Sequence, residues 1–110
     1  MLIKLWFSIN AGEQKQRLEE RGTNPLKRWK LSTVDAKAQE KWQDFTHYKN
    51  KMFAHTSTQR NHWVIIKGNN KIQARLEAMR YVLNTIDYTG KGDTGQRLEP
   101  DPEIVEIISD

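Results

Sequence analysis

The chain has 110 residues, 36% of them hydrophobic, no cysteine and a formal net charge of +4, with a mean hydropathy of −0.84. Such a length suits one domain with a small core. No apolar run approaches the ~20 residues of a membrane-spanning helix. No secretory h-region is expected. Disulfides, thiolate zinc and a cysteine nucleophile are excluded, which fits a cytoplasmic setting. Charge is uneven: residues 1–92 hold 17 basic and eight acidic residues, a net of +9, and residues 93–110 hold one basic and six acidic, a net of −5. A basic body suits a polyanion partner, and equally a well-solvated surface.

Met1 to Ile9 is almost entirely apolar and reads as a strand buried on both faces, as in a parallel sheet. Asn10 and Glu13 mark a helix start, predicting a short polar helix to about Arg21, with Gly22 as a left-handed cap. Thr23 to Leu31 is a connection in which Lys27, Arg28 and Lys30 interleave with Leu26, Trp29 and Leu31. Ser32 and Asp35 form a capping box for a long helix, Thr33 to Ala54, with Ala38, Trp42, Phe45, Met52 and Phe53 near one stripe.

His55 to His62 is a polar loop and Trp63 to Ile66 a second buried strand. After the Gly68–Asn70 turn, Ile72, Leu76, Met79, Leu83 and Ile86 define one apolar face of a helix from Lys71 to about Asp87. Three glycines make Tyr88 to Gly95 a flexible segment. The last fifteen residues, with Pro100, Pro102 and an Ile104–Ile108 apolar cluster among acids, form either a docked strand or an arm reaching for a partner.

The chemistry is sparse. His47, His55 and His62 are spaced eight and seven apart, outside the three-to-five spacing of helical zinc motifs, so no metal site is expected. Gly90-Lys91-Gly92 follows a helix and precedes an acidic tail, the wrong context for a nucleotide phosphate loop. No catalytic triad or carboxylate pair is visible, and no catalytic residue is assigned. Lys27, Arg28 and Lys30 surround Trp29. Lys71 and Arg75 stand i, i+4 at a helix N-terminus, where the dipole opposes cations. A bound anion would neutralise them; solvated, snorkelling side chains are the alternative.

The segment Asn24-Pro25-Leu26-Lys27-Arg28-Trp29-Lys30-Leu31-Ser32 resembles the Asp-Pro-Leu-Lys-X-Trp-Lys-Leu-Ser stretch of the polyphosphate kinase 2 family. The resemblance continues through Asp35, Trp42-Gln43-Asp44-Phe45-Thr46, Met52-Phe53, Thr56-X-Thr58, Trp63-Val64-Ile65, Lys71, Ala74-Arg75-Leu76 and Tyr88. It implies an α/β C-terminal fragment of a phosphate-loop kinase-like fold, with two short strands, one short helix and two longer ones. Residues 1–92 would be the lid-containing part and 93–110 an acidic tail or arm. The implied activity is phosphoryl transfer between polyphosphate and a nucleotide with Mg²⁺.

The family's phosphate loop and magnesium motif lie upstream of the first strand seen here, so this part is expected to be inactive alone and to hold no metal. Asn70 stands where many members have Asp. By resemblance the polyphosphate-binding residues are Lys27, Arg28, Lys30, Lys71 and Arg75, with Arg21 as a weaker candidate, while Trp29, Trp42, Phe45, Trp63 and the Ile72–Ile86 stripe are expected in the core. The alternative is a stand-alone polyanion-binding or assembly module, docking on itself or on an intact homologous kinase. Nucleic-acid binding ranks last, since no recognition helix or single-strand platform is evident.

Overall fold

The structure is a computed structural model that describes every residue except 31–34, 94, 96, 109 and 110; the side chains of Asp35 and Ala36 are likewise outside the description. The expected cap at Ser32 therefore lies outside the described residues. The elements in chain order are β1 (Lys4–Ser8), α1 (Ala11–Thr23), a 3₁₀ turn (Arg28–Lys30), α2 (Asp35–Ala38), α3 (Trp42–Thr56), β2 (Trp63–Lys67), α4 (Lys71–Thr85) and β3 (Val105–Ile107). The α/β class is as expected, with three strands rather than two, the third drawn from the tail. The chain divides into two compact units, one of residues 1–8 and 56–110, the other of residues 9–55.

In the first unit the strand order is β1-β2-β3. β1 runs parallel to β2, Lys4 opposite Trp63 and Ser8 opposite Lys67. β3 runs antiparallel, Val105 opposite Ile66 and Ile107 opposite Val64. The core is Val64, Ile66, Ala74, Ala78 and Val105, with Leu5, Tyr81 and Ile104 packed against it. Val64 and Ile66 are the fully buried large side chains, each contributing about 1.5–3 kcal/mol by leaving water. β1 is not buried on both faces: Phe7 is 55% exposed. The reason is position, because β1 has one neighbour and forms a free edge of the sheet.

The helix α4 corrects the sequence reading most. Ile72, Leu76, Met79 and Leu83 are all exposed, and the buried positions are Ala74, Glu77 and Ala78. Small alanines let the helix backbone approach the sheet closely, so the helix turns its bulky stripe outward. Trp29 and Phe45 are also exposed rather than core, while Trp42 and Trp63 are half-buried. The tail takes the docked-strand form. Glu77, only 3% exposed, accepts the Asp101 N–H at 2.7 Å and pairs with Arg80 and Arg97, drawing the segment before β3 onto α4. At the far end of β3, Ser57 Oγ donates to the Ile108 carbonyl at 2.9 Å and His62 Nδ1 lies 3.0 Å from the same oxygen.

In the second unit α1 begins as expected, with Asn10 Oδ1 accepting the Glu13 N–H at 2.7 Å. It does not end at Gly22, which keeps a negative φ. The helix runs to Thr23 and is capped by extended Asn24, the conformation that Pro25 imposes on its predecessor. The long helix is broken. Around residues 39–41 the Trp42 N–H turns back to the Gln39 carbonyl. The Gln39 amide donates to Ala11 O and to Gln14 Oε1, so tertiary hydrogen bonds override continuous helix propensity. Phe53, 5% exposed, is the one buried side chain among the described residues of this unit.

Candidate polyanion-binding site

The Asn24–Lys30 turn is organised by its own backbone. Asn24 Oδ1 accepts the Leu26 N–H at 3.0 Å, its carbonyl accepts the Lys27 N–H at 2.9 Å, and the Lys27 carbonyl accepts the Lys30 N–H at 3.0 Å. Pro25 fixes its own φ and favours such a turn. The result displays Arg28, Trp29 and Lys30 on a 3₁₀ turn, all exposed. Lys27 pairs with Glu20 at 2.8 Å across a half-open surface. Arg28 and Lys30 make no ion pair among the described residues. Arg21 sits half-buried in the last turn of α1, where a cation complements the helix C-terminus.

In the sheet-bearing unit, β2 ends at Lys67 and α4 begins at Lys71. Between them Gly68 is buried, and its N–H meets the Ser8 carbonyl at 2.5 Å, tying the carboxyl ends of β1 and β2 together. Asn70 caps α4, its Oδ1 accepting the Gln73 N–H at 3.1 Å. Asp caps helices as well as Asn does, so a local structural role accounts for either residue at this position. The first turn of α4 holds no acid. Lys71 and Arg75 are exposed on it, and Arg75 makes no ion pair among the described residues. The carboxyl end of parallel strands, next to a helix N-terminus, is where open α/β sheets bind anionic ligands.

The structure thus gathers Lys27, Arg28 and Lys30 into one turn beside Arg21, and Lys71 and Arg75 onto one helix; the two groups belong to different compact units. Sequence reasoning missed Lys67, exposed at the end of β2; its signal was a cation ending an apolar run just before a glycine. It missed Glu77 too, with no signal beyond a polar residue opposite the apolar stripe. Lys91 is occupied: its ammonium donates to the Asn84 and Ile86 carbonyls at 2.9 and 2.7 Å, closing the end of α4. That use, with Gly90 and Gly92 at positive φ, makes the Gly-Lys-Gly segment a helix-ending turn. Among the described residues no three His, Asp or Glu side chains converge to hold a metal ion, and no helix is long and apolar enough to cross a membrane.

The chain is thus an α/β protein with a parallel β1–β2 pair and exposed cations at Arg28, Lys30, Lys67, Lys71 and Arg75. The chain belongs to the polyphosphate kinase 2 family, whose pattern matches residues 1–94. It is 50% identical over 104 residues to the NDP-polyphosphate phosphotransferase 2 of Ruegeria pomeroyi, covering 94% of this chain and 30% of that protein. It is 44% identical to a GDP-polyphosphate phosphotransferase of Pseudomonas aeruginosa, covering 96% and 29%. To the ADP-polyphosphate phosphotransferase 1 of Rhizobium meliloti it is 38% identical, covering 84% and 31%. The chain spans about a third of the length of these curated relatives.

Proposed function

We propose that this chain is the C-terminal, lid-bearing part of a polyphosphate:nucleotide phosphotransferase of phosphate-loop kinase fold, working in the cytoplasm. Lys27, Arg28, Lys30, Lys71 and Arg75, with Arg21 in support, hold the polyphosphate chain. The observation that carries this is the pre-formed 24–30 turn, which spends its hydrogen bonds on its own backbone and leaves Arg28 and Lys30 exposed, with no acidic partner among the described residues. Cations fixed in that way need no rearrangement to meet a row of phosphates. Mg²⁺ and the phosphate loop belong, in this reading, to the remainder of a complete kinase, and no residue here has a catalytic role.

Phosphate binding is tested by titrating long-chain polyphosphate at several salt concentrations. Affinity is expected to fall steeply with salt. Replacing Lys27, Arg28 and Lys30 together with Ala should flatten the slope of log affinity against log salt by about two, as removal of three polyanion contacts does. Replacing Lys37 and Lys41 should change it little. Equal effects from both sets overturn the assignment.

A second reading, a module that assembles with itself or with an intact kinase, is favoured by the exposed apolar stripe of α4 and the free edge of β1. Both features belong to the same compact unit and await a covering surface.

A further inference from the structure

The 24–30 turn carries one group that a row of bare phosphates does not use. Trp29 is 78% exposed and its neighbour Leu26 is 82% exposed. The indole is not a loose side chain: its Nε1–H donates to the Leu26 carbonyl at 2.9 Å, which fixes the ring on the turn. Lys30 Nζ lies 5.4 Å from the ring centroid, within cation–π range. Arg28 and Lys30 flank the ring in sequence, without acidic partners among the described residues. A large aromatic surface fixed on the turn, with Lys30 against the ring and exposed Arg28 next to it in the chain, matches a ligand that is itself a planar ring joined to phosphates.

We propose that Trp29 is a stacking platform for the base of a nucleoside diphosphate, with Arg28 and Lys30 meeting its phosphates. The proposal rests on reading the 24–30 turn as an anion site and adds the base to it. A single-stranded nucleic acid fits less well, because such strands are bound on successive rings and the turn offers one. The binding needs no base-specific hydrogen bond from the indole, whose one polar atom is already used; the platform therefore accepts purine and pyrimidine bases alike, with purines favoured by their larger face.

The test is calorimetric titration of the full chain with GDP, with inorganic pyrophosphate, which has similar charge and no base, and with long-chain polyphosphate. Wild-type chain is expected to bind GDP more tightly than pyrophosphate. Trp29→Ala should weaken GDP binding about tenfold or more, the loss of one base–aromatic stack, and leave pyrophosphate and polyphosphate within about twofold. Trp29→Phe keeps a stacking face and should retain most of the GDP affinity. Thermal melting of each variant serves as the folding control. GDP bound no better than pyrophosphate by wild type, or Trp29→Ala weakening all three ligands equally, overturns the proposal. So does Trp29-dependent binding of an oligothymidylate tighter than that of GDP. Absence of polyphosphate binding alongside Trp29-dependent GDP binding would instead overturn the polyphosphate reading and leave the platform standing.

Discussion

Glu77 shows how much one buried carboxylate can organise. It bridges Arg80, Arg97 and the Asp101 N–H while almost fully removed from solvent. Removing it leaves a backbone donor and Arg80 unsatisfied and frees the segment that leads into β3. Glu77→Ala is expected to lower stability by about 2–3 kcal/mol, the scale of hydrogen bonds to a charged group. Urea unfolding would measure this, and amide exchange at Val105 to Ile107 would show β3 losing protection. Arg97→Ala should cost under ~1 kcal/mol, since its partner distance is 3.3 Å and its side chain is 56% exposed. An unchanged midpoint and intact β3 protection in Glu77→Ala would show that the tail docks through β-pairing alone.

At the scale of the element, α4 separates two properties that its sequence merges. The 4-3-4-3 spacing of Ile72, Leu76, Met79, Leu83 and Ile86 identified a helix correctly, within two residues at its end. It did not identify which side faces this chain's sheet, because periodicity reports an apolar face and not its partner. The close-packing signal was the Ala74–Ala78 pair, which reads as neutral in any hydropathy scan. The same limit explains Trp29 and Phe45, apolar yet uncovered. Elements governed by local chemistry were legible: Asn10 as a cap, Trp63 to Ile66 as a strand, the cation-bearing turn after Pro25; Asn70 was read only as part of a turn, and its capping of α4 was missed. The break between α2 and α3 was not legible either, since it depends on Gln39 reaching residues 25 or more positions away. An outward stripe predicts association. Leu76→Glu with Met79→Glu should leave unfolding within about 0.5 kcal/mol of wild type, as surface substitutions do, and abolish concentration-dependent sedimentation. A double variant that unfolds, or a wild type that stays monomeric at high concentration, contradicts this.

For the molecule as a whole, phosphoryl transfer is expected to lie outside this chain's own resources. With no convergent metal ligands among the described residues, the purified chain given polyphosphate, Mg²⁺ and a nucleoside diphosphate should show no turnover above that of a Lys71→Ala, Arg75→Ala variant. Turnover well above that background would require a reaction centre this chain supplies itself. The adjacency of β1 and β2 has a further meaning. They pair residue for residue, yet residues 9–62 intervene between them, including the whole second unit. The sheet thus treats that unit as an insertion within one crossover. Closing a longer crossover adds only about 0.6 kcal/mol for each doubling of its length. Lengthening or trimming this crossover therefore costs the sheet little stability, so the β1–β2 register can stay unchanged while the length of the 9–62 connection varies.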